Sequence, residues 1–174
     1  PPIADFDIEV CCTDKRTVTF VDRSKTDSAY GDITYTWQFG YPAISTSDVR
    51  GDVSFTFPAL GEYDVTLTVT NGGCTHYNTQ QVRLVSDIAD FTISKTKVCR
   101  NEAFVLTAVN SNPSNILNYA WSLGGGPFVV SNRSIQASFP ANDVYDIALR
   151  ITDINGCEDT KELPNAVRVT GPTA

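Results

Sequence analysis

The chain has 174 residues, of which 20 are acidic and 13 are basic, so its formal net charge is −7. An acidic chain without a basic stripe is a poor match for a phosphate backbone, which argues against nucleic acid as a partner. No run of residues approaches the ~20 apolar positions of a membrane-spanning helix, so no membrane insertion is expected in this segment. The sequence contains no methionine, and we interpret it as a fragment of a larger parent chain.

Several short motifs occur twice, in the same order, at offsets of 82 to 85 residues. The pairs are Ala4–Phe6 with Ala89–Phe91, Tyr35–Trp37 with Tyr119–Trp121, and Phe57 with Phe139. A shared order of landmarks predicts two homologous domains, residues 1–86 and 87–174. The linker between them is very short, which predicts a semi-rigid pair.

In both halves, apolar residues alternate with polar ones, as expected for strands with one buried and one wet face. In chain order, the predicted inward rows are Ile33, Tyr35, Trp37, Phe39; Tyr63, Val65, Leu67, Val69; Leu117, Tyr119, Trp121, Leu123; and Tyr145, Ile147, Leu149, Ile151. Convincing helical spacing is absent. The sequence therefore predicts an all-β protein of two antiparallel sandwiches with about seven strands each.

The stretches YTWQFG, from Tyr35, and GEYDVTLTV, from Gly61, resemble the PKD domain, an immunoglobulin-like sandwich. The resemblance covers nearly the whole chain as two tandem copies. It departs from the family pattern at Gln38 and Ser122, where the family usually has Asp, so no role of that acidic loop is carried over. Asp143 replaces the glycine found at Gly61, and Asp tolerates the left-handed backbone conformation that such a turn uses.

The repeated tyrosines and cysteines have separate explanations. Tyr63 and Tyr145 begin the penultimate strand, where sandwiches often bond a Tyr hydroxyl to nearby backbone. The cysteines predict one disulfide within each domain: Cys99 with Cys157, and Cys74 with either Cys11 or Cys12.

We favour Cys12 as the partner of Cys74, because its distance to the next apolar strand residues is closer to that of Cys99. Cys11 is then left as a free thiol. Structural disulfides indicate an oxidising compartment, so the expected location is extracellular or on the cell surface.

No catalytic residue is predicted. His76 is the single histidine and has no Ser or Cys partner motif. No loop supplies the six to eight oxygens of a calcium site in sequence. The resemblance to PKD domains, some of which bind calcium near domain junctions, makes Asp87 and Asp90 weak candidate calcium ligands, and no other cofactor is expected.

Two classes of function fit these features. The favoured one is a non-catalytic structural or adhesive module, a rigid spacer and interaction surface in a large bacterial surface or secreted protein such as a gliding-type adhesin. Its partners would be other domains of the parent chain and a protein or polysaccharide ligand. The alternative is an accessory substrate-binding module of a secreted hydrolase, for which Tyr30, Tyr41 and Tyr77 are candidates for stacking on sugars.

Overall fold

The computed structural model describes residues 1–40 and 45–171. It divides into two compact units, Pro1–Ser86 and Asp87–Ala174, at the same boundary as the sequence repeat. Each unit is a β-sandwich of two sheets, so the predicted all-β, immunoglobulin-like fold class is confirmed. No helix in the described ranges is long and apolar enough to cross a membrane.

The first unit contains seven described strands and one 3-10 turn at Ser28–Tyr30. The strands are β1 (Phe6–Val10), β2 (Thr17–Asp22), β3 (Ile33–Phe39), β4 (Ser45–Ser47), β5 (Val53–Thr56), β6 (Gly61–Asn71) and β7 (Cys74–Leu84). One sheet has the order β1-β2-β5 and the other β4-β3-β6-β7, with every pair antiparallel.

The core of the first unit lies between its two sheets, and the predicted inward rows in β3 and β6 face it from one of them. Trp37 is fully buried and contacts Phe6 edge-on, with ring centroids 5.2 Å apart. Its indole Nε1 donates a hydrogen bond to the carbonyl of Val49 at 3.2 Å. The ring therefore fills the space between the sheets while its one polar atom is satisfied.

The second unit repeats this plan with eight strands and a 3-10 turn at Pro113–Asn115. The strands are β8 (Asp90–Ile93), β9 (Lys97–Cys99), β10 (Phe104–Val109), β11 (Ile116–Leu123), β12 (Val129–Ser131), β13 (Ser134–Ala137), β14 (Val144–Asp153) and β15 (Glu158–Thr170). The sheets have the orders β13-β10-β8 and β12-β11-β14-β15-β9. Trp121 takes the place of Trp37, against Phe91 and with its Nε1 bonded to the carbonyl of Asn132 at 3.0 Å.

The second unit has two irregular features, the second of which contradicts the sequence prediction. The first strand region is split, so that β8 pairs with β10 in one sheet while β9 runs parallel to β15 in the other. Leu117 was expected to point inward but is 60% exposed. The register of β11 against β14 shifts between Ile116 and Asn118, and Ile116 packs against the core instead.

Both predicted tyrosine corners form. The hydroxyl of Tyr63 donates to the carbonyl of Ala59 at 2.9 Å, and that of Tyr145 donates to the carbonyl of Ala141 at 3.1 Å. Asp143, by contrast, is not among the residues with positive φ, whereas Gly61 has φ 144°. The turn in the second unit thus survives without the left-handed conformation expected for Asp143.

Tyr63→Phe and Tyr145→Phe are each expected to lower the free energy of unfolding of their own unit by about 1 kcal/mol, because each removes one hydrogen bond and keeps the ring packing. Urea denaturation would measure the loss. Tyr77→Phe is the matched control, since Tyr77 is 69% exposed and its hydroxyl makes no hydrogen bond within the described residues. Equal effects of all three substitutions would contradict a structural role for the corners.

Candidate functional site

Hydrogen bonds between β7 and the start of the chain fix the position of Cys74. The Ala4 amide donates to Nδ1 of His76 at 3.0 Å, and Nε2 of Gln80 donates to the carbonyl of Phe6 at 2.6 Å. β1 and β7 therefore lie alongside each other and run in the same direction. Cys74, at the start of β7, lies at the end of the first unit where the chain enters, which we call its leading pole.

Cys11 and Cys12 follow β1 and lie at the opposite end of the first unit, where the chain leaves it, which we call its trailing pole. From Cys74 to Gln80 along β7 is about 20 Å, and from Phe6 to the end of β1 is about another 13 Å, at ~3.3 Å per residue. A disulfide requires Cα atoms within about 7 Å. Neither Cys11 nor Cys12 can reach Cys74 within this unit.

The second unit has the same polarity. The Ala89 amide donates to Oδ2 of Asp159 at 2.7 Å, which places the start of β15, and Cys157 before it, at the leading pole. Cys99 pairs with Thr170 at the far end of β15. Thirteen positions of an extended strand separate Cys157 from Thr170, about 40 Å.

The predicted pairing of Cys74 with Cys12 and of Cys99 with Cys157 is therefore wrong. Cys74 and Cys99 are exposed free thiols in the structure, and so is Cys11, the state that the sequence assigned to it. Cys12 and Cys157 are disulfide-bonded. The prediction failed because it joined the two cysteine positions within each unit, and these positions lie at opposite poles of the same sandwich.

Asp87 and Asp90, the candidate calcium ligands, are held by protein donors. Asp87 accepts hydrogen bonds from the Asn112 amide at 2.6 Å and from Nδ2 of Asn115 at 2.8 Å, one on each oxygen. Asp90 accepts from its neighbour's amide and from Nδ2 of Asn110 at 2.7 Å. The described residues contain no group of three or more His, Cys, Asp or Glu that could hold a metal. The two carboxylates order the loop at 110–115, and calcium binding stays a prediction.

The remaining candidates from the sequence are dispersed. The Nδ1 of His76 is an acceptor for the Ala4 amide, so this histidine anchors the start of the chain. Tyr30 and Tyr77 are 67% and 69% exposed, and Tyr41 lies outside the described residues. No described contact joins Tyr30 to Tyr77.

Sequence reasoning did not identify two surface cavities in the second unit. One, of about 340 Å³, is lined by Ser122, Phe128, Asp146, Ala148, Glu162 and Leu163. The other, of about 410 Å³, lies between the edge strands β12 and β13 with Trp121 in its lining. Residues of the segment 124–128 line both cavities. In the local sequence, the run of three glycines at 124–126 is the feature that could have indicated an irregular segment there. The volumes of the two cavities suit a small ligand or a few residues of a peptide.

Asp14 carries the largest described electrostatic perturbation. Its carboxylate accepts bonds from the Thr17 hydroxyl at 2.6 Å, the Thr17 amide at 2.9 Å and the Arg16 amide at 3.0 Å, which lowers its pKa from 3.8 to about 2. Each bond favours the charged form. Asp14 thereby closes the turn between β1 and β2 at the trailing pole.

Because the folded pKa of Asp14 lies below the unfolded one, its stabilising effect is complete above about pH 4 and is lost as the pH falls through about 2. NMR titration of the Asp14 carboxyl should therefore give a midpoint near 2 in the folded protein. The same titration in urea is the control and should return it to about 3.8. A folded midpoint near 3.8 would contradict the described hydrogen bonds.

Comparisons with known proteins match this architecture. The family model described as "PKD domain" matches residues 1–86 and 84–169. The chain is similar to the PKD1 domain of Vibrio anguillarum Epp at 26% identity, covering 48% of this chain and 92% of that one, with a TM-score of 0.40. No curated protein matches it.

Two longer structural matches show the fold alone. Murine CEACAM1b is 11% identical, with 98% and 100% of the two chains covered and a TM-score of 0.55. The fibronectin(III)-like modules of Clostridium thermocellum CbhA are 14% identical, with 95% and 94% covered and a TM-score of 0.53. Since the family model spans residues 1–169 in two copies, each with an inward Trp and a tyrosine corner, the chain belongs to the PKD domain family as a tandem pair.

Proposed function

We propose that the chain is a non-catalytic structural and adhesive module of an exported bacterial protein, acting as a spacer and interaction surface at the cell surface or outside the cell. A gliding-type adhesin is the most specific form of this proposal. The observation that carries it is that two PKD domains account for residues 1–169. The role that we propose is mechanical.

The first unit is built to resist extension between its poles. β6 and β7 pair over eleven positions, and β1 and β2 over five. Inter-strand hydrogen bonds of an antiparallel ladder lie perpendicular to the strands. Tension applied at the leading end of β1 and the trailing end of β7 runs along these strands, so it loads many bonds together in shear.

The second unit adds a parallel connection to the same plan. β9 pairs with the last residues of β15, Arg168 with Lys97 through Thr170 with Cys99. The Arg168 amide also donates to the carbonyl of Thr96 at 2.8 Å. β9, near the start of the second unit, is thereby hydrogen-bonded directly to β15, the last strand of that unit.

Single-molecule force spectroscopy tests the mechanical role. A variant with Cys11, Cys12 and Cys99 replaced by Ser and Cys157 by Ala leaves Cys74 as the sole thiol, so that pulling can be compared in two directions. End-to-end pulling should unfold two units, each releasing about 280 Å of contour at ~3.3 Å per residue.

Pulling the first unit between residue 1 and Cys74, both at its leading pole, should unfold it at a clearly lower force, because bonds then break one at a time. Equal forces in the two directions would contradict the shear geometry and remove the main support for a load-bearing role.

A second candidate function, an accessory binding module for a polysaccharide or protein substrate, is favoured by the two cavities of the second unit. Phe128 lines the first cavity, and Arg150 lies 4.6 Å from the centre of its ring. Pull-down with insoluble cellulose and chitin, compared between the natural chain and Phe128→Ala, tests this function. Retention that Phe128→Ala abolishes would favour it, and no retention on either polymer would count against these polysaccharides.

A further inference from the structure

The cysteines of the two units form an ordered pattern. Each unit carries a cysteine at its leading pole, Cys74 in the first and Cys157 in the second, at equivalent places in the repeat. Each also carries cysteine at its trailing pole, Cys11 and Cys12 in the first and Cys99 in the second. One leading and one trailing cysteine, Cys157 and Cys12, are disulfide-bonded. The remaining cysteines are free and exposed: Cys74 at a leading pole, and Cys99 and Cys11 at trailing poles.

We propose that Cys74 and Cys99 are cross-linking sites that join this chain covalently, leading pole to trailing pole, to another PKD unit of the same kind. The partner of Cys99 would be a leading-pole cysteine such as Cys74 of a second copy. The partner of Cys74 would be a trailing-pole cysteine such as Cys99. This inference rests on the structural role proposed above and specifies how neighbouring units are held.

The chemistry is thiol–disulfide exchange with a low-molecular-weight disulfide such as oxidised glutathione as the two-electron oxidant. One protein thiolate attacks the oxidant, forms a mixed disulfide and releases one glutathione. The thiolate of the other unit then attacks the protein sulfur of that mixed disulfide and releases the second glutathione. Two thiols lose two protons and two electrons in all, and one disulfide becomes two glutathione thiols.

The surroundings of Cys74 favour a basic partner surface. The Gly72 amide at the turn before Cys74 donates to the carbonyl of Asp32 at 3.2 Å, and the Asp27 amide donates to Oδ1 of Asn71 at 3.2 Å. Two acidic residues thus belong to the segments packed against this turn, with Lys25 as the nearby basic residue in the sequence. Residues 25–32, which pack against the turn before Cys74, have two acidic residues and one basic residue and therefore a formal net charge of −1.

The surroundings of Cys99 have the opposite charge. Lys97 and Arg100 flank it in the sequence and are both exposed. Glu102 accepts the Cys99 amide at 2.8 Å, and its pKa is lowered by that hydrogen bond and by Lys95, which lies 2.6 Å away. The Glu102 carboxylate is therefore paired with a lysine, and residues 95–102 have a formal net charge of +2, from Lys95, Lys97, Arg100 and Glu102. Opposite charges at the two poles favour leading-to-trailing contact over contact between like poles.

The test uses the full chain with Cys11→Ser, which removes the third exposed thiol, in a buffer of oxidised and reduced glutathione. Non-reducing electrophoresis should show a ladder of covalent oligomers, and peptide mapping should find Cys74 linked to Cys99. Random pairing would give half Cys74–Cys99 links and a quarter of each symmetric link. Links between Cys74 and Cys99 should exceed the symmetric Cys74–Cys74 and Cys99–Cys99 links several-fold at low salt, and by a smaller factor in 1 M NaCl.

Single-site variants separate this inference from simple surface oxidation. On the Cys11→Ser background, Cys74→Ser and Cys99→Ser should each fail to extend beyond a dimer, and an equal mixture of the two should form mainly mixed dimers. Links in the random ratio, or a ladder that survives in either single variant, would overturn the proposal. The force measurement uses a variant that lacks Cys99, so a failure here leaves the mechanical proposal standing, and the reverse also holds.

Discussion

Replacing Trp37 by Ala is expected to destabilise the first unit by about 3–5 kcal/mol, and Trp121→Ala should do the same to the second. Trp37 is completely buried, with 0% of its surface exposed, and Trp121 is 2% exposed. Truncation leaves a cavity between the sheets and deprives the carbonyl of Val49 or Asn132 of its indole donor. A domain of this size is stable by roughly 5–15 kcal/mol, so the loss removes a large part of its stability.

Each unit contains a single tryptophan, which makes the measurement specific. In Trp37→Ala the fluorescence of Trp121 reports the second unit alone, while far-UV circular dichroism reports both. The circular dichroism transition of the first unit should shift by about 2 M urea or more, given slopes of ~1–2 kcal/mol per M.

Phe at either position is the control, because it retains most of the packing and should cost less than Ala. If the alanine variants kept the natural midpoint, these residues would not be core residues.

The sequence was sufficient for the fold because the signals that specify it are local and occur twice. Alternation in β6 and β14 fixed which face is buried, and the repeat placed the boundary at Ser86. Leu117 could not be assigned correctly, since one register shift in β11 reverses the direction of every side chain on one side of it. The shift depends on pairing with β14, which leaves no mark in the local sequence.

The cysteine pattern shows why the sites were harder to predict than the fold. The sequence reveals that Cys74 and Cys157 occupy equivalent positions, as do Cys12 and Cys99. It does not reveal that strands β1 and β7 run in the same direction, which separates the two positions along the sandwich. The orientation comes from side-chain hydrogen bonds between residues more than 70 positions apart, and only the folded structure supplies it.

Gly72→Ala is expected to destabilise the first unit by about 3 kcal/mol, whereas Gly73→Ala should cost about 1 kcal/mol. Both glycines have positive φ, 57° and 85°, as the two-residue hairpin between β6 and β7 requires. A left-handed conformation costs an alanine roughly 1–2 kcal/mol at either position. The difference comes from space: a Cβ on Gly72 would lie 1.7 Å from the carbonyl oxygen of Tyr30, and one on Gly73 would meet nothing within 4 Å.

The oxygen in the path of that Cβ belongs to backbone and cannot rotate away. Asn71 bonds the amide of Asp27 and the carbonyl of Gly31, and so holds both ends of the 3-10 turn that contains Tyr30. The Gly72→Ala protein must therefore displace the whole turn, and its amide NMR signals from residues 27–31 should shift while those in Gly73→Ala stay in place. Urea denaturation measures the two losses directly. If both substitutions cost the same, the close approach of Tyr30 to Gly72 would not constrain the hairpin, and left-handed backbone strain alone would account for the pair of glycines.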